Sequence, residues 1–184
     1  MKRLSMFFVV AAMAVVTFAQ TFNENDRKMF NEGQVLTESD LQFTEDVEWN
    51  SAEPKTVYSL HDEGDETILT MSHSIYWDSQ WVTFSKGIVI VDSETGDRYH
   101  VRDYADEGLT MDKLLIVKGC NGKNVLIPLK FPKLKRKVEY IDVYSYDHKD
   151  DLKPSNRKKC RTCLGERLSV KKLRNIHKGV KVYK

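Results

Sequence analysis

The chain has 184 residues, of which 41% are hydrophobic and 30% are charged, and its formal net charge is +2 at neutral pH. This length supports one domain with a substantial core and gives no indication of two. The sequence contains neither an internal repeat nor a low-complexity tract, which excludes repeat-built architectures.

The small net charge conceals a strong asymmetry along the chain. Residues 21–66 contain 13 acids and 3 bases, a net charge of −10, whereas residues 151–184 contain 12 bases and 2 acids, a net charge of +10. The residues between them contain 12 of each sign. The first-order organisation is therefore an acidic N-terminal segment, a neutral middle and a basic C-terminal tail.

The N-terminus has the features of a secretory signal peptide. A lysine–arginine pair at positions 2 and 3 precedes an apolar run of 16 residues, Leu4 to Ala19, whose last residues suit the small-residue rule for cleavage. The run is shorter than the about 20 residues that span a bilayer as a helix. No later stretch is apolar enough to span a membrane. We therefore expect a signal peptide at residues 1–19 and an exported protein, located in the periplasm or outside the cell.

The acidic segment, residues 20–54, has few periodic apolar positions. We expect it to be loosely packed, with a short helix or an edge strand built from its scattered apolar residues, Val35, Leu36, Leu41, Phe43 and Val47.

The neutral middle, residues 55–150, consists of short runs with a period of two. TILTMSHSIYW places Leu69, Met71, Ile75 and Trp77 on one side of an extended chain, with threonine and serine on the other. This alternation is typical of a strand with one buried face. Further β-rich runs are TVYSL, WVTFSK, GIVIVD, RYHVRDY, KLLIVKG, NVLIPLKF and VEYIDVYSYD.

Turn signals separate these runs. SETGD predicts a turn, and the Asn121–Gly122 pair predicts a hairpin between KLLIVKG and NVLIPLKF, because both residues tolerate positive φ. Pro128 cannot donate to a strand ladder, so we expect it at an edge or a bulge. No helix is interposed between the runs. The sequence therefore predicts an all-β fold: an antiparallel two-sheet, immunoglobulin-like sandwich of about eight strands, with room for a short helix at either end and a closed barrel as the alternative.

The order of DETILTMSHSIYW, WVTFSKGIVIVDSETGDRYHVRDY and VLIPLKFPKLKRKVEYIDVYS resembles the small immunoglobulin-like β-sandwich modules of exported Bacteroidota proteins, which lack an assigned function. The shared features are an acidic turn before a threonine-rich strand, a tryptophan-led strand, and an apolar strand that ends in phenylalanine, proline and leucine. The resemblance covers about residues 56–147. It implies a fold and an exported location, and it transfers no active-site residue.

The mature chain keeps three cysteines, Cys120, Cys160 and Cys163, in a compartment where disulfides persist. A bond from Cys120 to either tail cysteine would tie the basic tail to the sandwich and close a loop of about 40 residues, and a bond within the CxxC pair is the competing arrangement. A thioredoxin-like use of the CxxC would need a cysteine at a helix N-terminus. A zinc site would need Cys120 together with His148 or His177.

A second candidate surface is the run VEYIDVYSYD. Tyr140, Tyr144 and Tyr146 share one face with Asp142, while Ile141 and Val143 take the other. If the aliphatic pair points inward, the tyrosines line an outer surface that can stack on sugar rings or form the centre of a protein contact. Tyrosine is also a good strand former, which would explain the row without a ligand.

No motif indicates catalysis or a cofactor. The histidines form no metal-binding pair such as HxH or HExxH, there is no GxSxG, and KGCNGKNV lacks the spacing of a phosphate loop. His73 shares the parity of buried positions and is expected to be a hydrogen-bonded core residue. We assign no catalytic residue, no metal ligand and no cofactor.

The basic tail, residues 151–184, carries the CxxC and either supplies a last strand or forms a short helix with Leu164, Leu168, Leu173 and Ile176 on one stripe. We expect a non-enzymatic binding or interaction module that contacts a cell-envelope or secreted protein through a sheet face or this tail. The alternatives are a carbohydrate-binding module that uses the tyrosine face, and a thiol-disulfide oxidoreductase that uses the CxxC. We expect neither a nucleic-acid partner nor a membrane span.

Overall fold

The computed structural model describes residues 32–44, 57–82, 84–147 and 163–179. All of these except Glu32 belong to one compact unit, Gly33–Lys184. The predicted signal peptide lies outside the described residues, as does Cys160. Export therefore stays a prediction, and so does any disulfide within the CxxC pair.

The described residues form twelve strands, a 3-10 helix at Glu38–Asp40 and one α-helix. The strands are β1 (Gln34–Leu36), β2 (Gln42–Thr44), β3 (Val57–Glu63), β4 (Glu66–Ser74), β5 (Ser79–Val82), β6 (Val89–Asp92), β7 (Arg98–His100), β8 (Asp103–Tyr104), β9 (Leu115–Lys118), β10 (Asn124–Pro132), β11 (Tyr140–Tyr144) and β12 (Cys163–Ser169), and the α-helix, α1, is Val170–Gly179. The prediction of an all-β fold is confirmed, although the strands outnumber the expected eight.

The strands pair into three sheets. Sheet A has the order β1-β9-β5, sheet B has the order β2-β10-β4-β3 with β8 also paired to β10, and sheet C has the order β12-β11-β6-β7. The β1–β9 pair is parallel, and the other pairs in the described residues are antiparallel. These pairings confirm several antiparallel sheets but do not confirm the two-sheet, immunoglobulin-like arrangement.

The longest strand pair, β4 with β10, provides the inner face of sheet B. Its register places Thr67 opposite Phe131, Leu69 opposite Leu129, and Met71 opposite Ile127. All six side chains are at most 1% exposed. The predicted inward face of NVLIPLKF is therefore confirmed, and each large apolar side chain on it stabilises the fold by about 1.5–3 kcal/mol.

All three sheets contribute to one hydrophobic core. Sheet C supplies Ile90, Ile141 and Val143, and sheet A supplies Leu115 and Val117 to the same cluster. Each of these five side chains is fully buried. A single shared core explains how three small sheets, none of which would be stable alone, form one folding unit.

The hairpin predicted at Asn121–Gly122 was wrong, although a turn does occur there. β9 pairs within sheet A and β10 within sheet B, so the turn carries the chain from one sheet to another. Gly119 and Gly122 have φ values of 72° and 78°, which only glycine adopts without strain. A two-residue hairpin turn would place β10 beside β9. The two left-handed glycines, which lie within four residues, direct β10 into another sheet instead.

Pro128 lies within β10, opposite Thr70 of β4. On the other side of β10, β2 pairs with residues 124–126 and β8 pairs with residues 129–130. The carbonyl of Pro128 accepts a hydrogen bond from the Ala105 N–H on that side, so the missing proline N–H also faces the gap between the two short strands. The proline thus occupies an interrupted edge of the ladder, as its chemistry requires.

Both charged ends add regular structure to the unit. The acidic segment supplies β1, the 3-10 helix and β2, and the basic tail supplies β12 followed by α1. Val170 and Leu173 of the helix are buried in the shared core. Arg174 forms an ion pair of 2.7 Å with Asp62 on β3, so one base of the tail contacts the acidic part of the chain.

Candidate functional site

Cys120 is a buried thiol with no exposed surface. Its Sγ donates a 3.5 Å hydrogen bond to the carbonyl of Lys118, and the thiol is free. Burial, with a smaller contribution from the nearby carboxylate of Glu38, raises the pKa of Cys120. The structure therefore does not show the predicted staple from this cysteine to the tail, and it holds the thiol in its unreactive protonated form.

Cys163 is half-buried and begins β12. It packs against a second, smaller apolar cluster on the outer face of sheet C, formed by Val89, Val91 and Tyr144. A strand does not supply the helix N-terminus that lowers the pKa of a redox-active cysteine. This local structure disfavours a thioredoxin-type use of the CxxC.

The tyrosine row has the predicted parity but is not an open surface. Ile141 and Val143 lie in the shared core. On the opposite face Tyr144 is only 2% exposed, whereas Tyr146 is 52% exposed. Tyr140 is half-buried, and the guanidinium of Arg167 stacks 4.7 Å from its ring centre. Ligand binding by this row stays a prediction, with Tyr146 alone presenting most of its ring to solvent.

A buried carboxylate on β11 binds the backbone of β12, the edge strand of sheet C. Asp142 has no exposed surface, and its Oδ1 accepts a 2.6 Å hydrogen bond from the backbone N–H of Arg167. Arg167 has a φ of 47°, unusual for a residue other than glycine, at a point where the β11–β12 register shifts. The register shift is a β-bulge, and Arg167 adopts its unfavourable φ within that bulge. The hydrogen bond to Asp142 thus holds the edge strand β12 at this irregular point.

Four of the six large apolar side chains that are exposed in the described residues lie on sheet A and on the turn that leads into it. The register aligns Val35 of β1, Ile116 of β9 and Trp81 of β5 in one row on the side away from the core. Val35 and Trp81 are 47% and 49% exposed. In the turn before β5, Tyr76 and Trp77 are 53% and 66% exposed. We call these five residues, Val35, Tyr76, Trp77, Trp81 and the buried Ile116 between the strands of Val35 and Trp81, the aromatic surface.

The turn that carries Tyr76 and Trp77 is held at both ends. On one side, Ile75 is 1% exposed, its N–H donates to the carbonyl of Lys123, and its carbonyl accepts from Gly122. On the other side, the carbonyl of Asp78 accepts a 2.8 Å hydrogen bond from the N–H of Gly119. The two rings contact each other edge to face, with centres 5.9 Å apart. The exposed pair is therefore presented in a defined geometry.

A buried glutamine stabilises the same turn from beneath. The Oε1 of Gln80 accepts a 2.8 Å hydrogen bond from the Tyr76 N–H, and its Nε2 donates to the Ser74 carbonyl and lies 3.3 Å from Nε2 of His73. Because the amide nitrogen can only donate, His73 accepts with Nε2 and is neutral. Burial lowers the pKa of His73, in agreement with that state. His73 is hydrogen-bonded as expected, but it is half-buried and does not belong to the shared core.

A cleft opens on the outer face of sheet B, away from the shared core. It has a volume of about 410 Å³ and is lined by strands β3, β4 and β10, by residues 36–42 and by residues 104–109. Apolar side chains form its floor, and carboxylates stand among its lining residues.

The comparisons with known proteins give no relative. No family model, no curated protein and no solved structure matches the chain. The resemblance to exported Bacteroidota modules therefore stays a prediction. In the parts of the chain that the structure describes, no helix has the length and apolar character needed to cross a membrane.

Sequence reasoning missed the aromatic surface. It placed Trp77 with Leu69 and Met71 by parity, and this was wrong because the strand ends at Ser74 and the alternation stops there. Asp78 and Ser79, polar residues that favour turns, follow Trp77 directly and were the available signal. The exposure of Trp81 depends on which strands flank β5, and no local pattern encodes that pairing.

Proposed function

We propose that this chain is an exported, immunoglobulin-like, non-enzymatic module that contacts an envelope or secreted protein through the aromatic surface. The observation that carries the proposal is the exposure of Tyr76 and Trp77 on a turn whose two ends are fixed by backbone hydrogen bonds. Tryptophan and tyrosine are enriched at the centres of protein interfaces, and contiguous exposed apolar groups mark such sites.

The rigidity of the turn strengthens the proposal. A partner that binds a mobile loop loses affinity because the loop must be ordered, whereas a fixed turn has little freedom left to lose. The edge-to-face contact of the two rings and the anchor at Ile75 supply that order before any partner arrives. Large aromatic side chains presented in this way commonly dominate binding, each contributing about 2 kcal/mol or more.

The two other candidate functions have less support. Carbohydrate binding by Tyr140, Tyr144 and Tyr146 needs ring faces open to a sugar, but Tyr144 is buried and Arg167 covers Tyr140. Thiol-disulfide exchange by the CxxC pair needs a thiolate of lowered pKa near a helix N-terminus, and Cys163 begins a strand. The turn of the aromatic surface, in contrast, exposes two aromatic side chains and is held at both ends by backbone hydrogen bonds.

The test is a crosslinking pull-down from the native envelope and secreted fractions with the full chain as bait. Trp77→Ala and Trp81→Ala should each reduce capture of the wild-type partner by about tenfold or more, because each removes an aromatic side chain that is about half exposed or more. Tyr146→Ala is the matched control, since it removes an equally exposed aromatic from the run after β11. Ile176→Ala is the control for the tail helix.

Circular dichroism and unfolding curves should show that all four variants keep the wild-type fold. Capture that is unchanged in both tryptophan variants but lost in Tyr146→Ala would refute the proposal. It would indicate that the partner binds at the tyrosine row instead. Loss only in Ile176→Ala would assign the contact to the basic tail instead.

A further inference from the structure

The cleft on sheet B has an apolar floor and lies apart from the aromatic surface. Ile68 and Thr70 of β4, together with Leu126 and Pro128 of β10, line its base. These side chains point away from the shared core, because Leu69 and Met71 of β4 occupy the core side. Ile68 and Leu126 are nevertheless only 1% and 3% exposed, so the base lies deep. None of the five aromatic-surface residues lines the cleft.

Two hydroxyls in this base have no hydrogen-bond partner in the structure. Ser59 and Thr70 stand opposite each other across the β3–β4 pair, and both line the cleft. They are 2% and 8% exposed. Neither hydroxyl bonds to another residue within the described parts of the chain. The two hydroxyl oxygens are not among the enclosed polar atoms that lack a partner, so they open onto the cleft and can accept a hydrogen bond from a ligand that enters it.

Among the residues that the structure describes, the lining carries negative charge and no fixed positive charge. Asp40, Glu63 and Asp106 are lining residues, and the described lining contains neither lysine nor arginine. Neighbouring acids do have basic partners, as in the pairs of Glu66 with Arg102 and of Asp62 with Arg174. Within the described residues, the three lining carboxylates form no ion pair.

Hydrogen bonds from Thr37 to the Asp40 carboxylate lower the pKa of Asp40, which keeps this acid ionised. Among the described lining residues, the three carboxylates therefore give the cleft an anionic character.

We propose that the cleft binds a small amphipathic amine, with an apolar body against Ile68 and Leu126 and an ammonium group directed to the lining oxygens. The volume of about 410 Å³ lies within the range of about 300–1,000 Å³ that is usual for small-molecule sites. An ammonium group has three donors and no acceptor. The Ser59 and Thr70 hydroxyl oxygens accept from such a group, and the three carboxylates neutralise its charge.

The same geometry discriminates against related ligands. A carboxylate or phosphate head would meet three like charges and, in the described lining, neither lysine nor arginine. A neutral alcohol of equal length keeps the apolar contact and one hydrogen bond but gains nothing from the acids. Because charge-assisted hydrogen bonds are about twice as strong as neutral ones, the amine should be selected.

The experiment is isothermal titration of the full chain at low ionic strength with three probes of one chain length: octylammonium, octanol and octanoate. Octylammonium should bind about tenfold or more tightly than octanol, octanoate should bind most weakly, and added salt should weaken the ammonium complex alone. Equal affinity for all three probes, or no heat from octylammonium at millimolar concentration, would overturn the proposal.

Variants locate the site. Thr70→Val keeps the shape of the side chain and removes its hydroxyl, and Asp106→Asn removes one charge, so each should weaken octylammonium binding by about threefold or more. Asp106→Asn should leave octanol binding unchanged. Glu139→Gln is the matched control, because Glu139 is exposed, does not line the cleft and, like Asp106, forms no ion pair in the described residues. A Glu139→Gln effect equal to that of Asp106→Asn would show that only the overall charge matters, which contradicts a defined site.

Discussion

The side chain of Gln80 links the core to the turn of the aromatic surface, and its removal is a sharp test of that link. Gln80 is 8% exposed and makes three polar contacts, with the Tyr76 N–H at 2.8 Å, the Ser74 carbonyl at 3.1 Å and Nε2 of His73 at 3.3 Å. Gln80→Leu keeps a similar volume and abolishes all three contacts. We expect the turn to loosen while the sheets remain assembled.

The magnitude follows from these contacts. Each neutral hydrogen bond contributes about 0.5–1.5 kcal/mol net, and a buried group left without its partner costs about 1–3 kcal/mol. Because Tyr76 is exposed, water replaces part of the loss at its N–H. We therefore expect Gln80→Leu to lower the free energy of unfolding by about 2–3 kcal/mol, which for a unit of this size lowers Tm by about 4–12 °C.

Urea unfolding followed by far-ultraviolet circular dichroism gives the stability. Acrylamide quenching of tryptophan fluorescence, in a Trp49→Phe, Trp81→Phe background that leaves Trp77 as the single tryptophan, gives the solvent accessibility of Trp77. The control is Gln42→Leu, since Gln42 is exposed on β2 and its side chain makes no hydrogen bond in the described residues. It should change stability by no more than about 0.5 kcal/mol. A Gln80→Leu protein as stable as the control, with unchanged quenching, would refute the reasoning that this residue orders the aromatic turn.

Three further predictions concern protonation, packing and thiol chemistry. Burial lowers the pKa of His73 below the unfolded value near 6.5, so the folded state binds this proton less readily; stability should fall as pH drops below about 6.5, and His73→Gln should flatten the curve between pH 7 and 5.5. Leu129→Ala should lower the free energy of unfolding by about 2–5 kcal/mol in urea titrations, because Leu129 is fully buried opposite Leu69; a loss under 1 kcal/mol would contradict the shared core. The Cys120 thiol is buried with a raised pKa, so a thiol reagent should label it at least about tenfold more slowly in the native chain than in urea; equal rates, read by peptide mass spectrometry, would contradict its burial.

Local alternation predicted the strands and their inward faces, because burial of one face imposes a period of two wherever a strand packs on a core. Leu69, Met71, Ile127 and Leu129 were found in this way. Pairing between distant strands is not encoded locally. The runs that became β9 and β10 have the pattern of a hairpin, but Gly119 and Gly122, both with left-handed φ, direct the second run into another sheet.

The candidate site was harder to predict than the fold. Tyr144 lies on the predicted side of β11, opposite the core, and the alternation alone would leave that side exposed. It is buried because Val89 and Val91 of β6 pack beside it on the same face. Tyr76 and Trp77 are exposed because the strand ends before them. The cleft combines Ser59 and Thr70, which pair across β3 and β4, with Asp106 from a loop far along the chain, so no short sequence motif predicts it.

The most direct measurement is photocrosslinking in the native host with a photoreactive phenylalanine derivative placed at position 77, 81, 146 or 176 of the full chain. The proposed function predicts one discrete partner band from positions 77 and 81 and none from 146 or 176. A partner band from 146 or 176, with nothing at 77 and 81, would show that the protein binds through another surface.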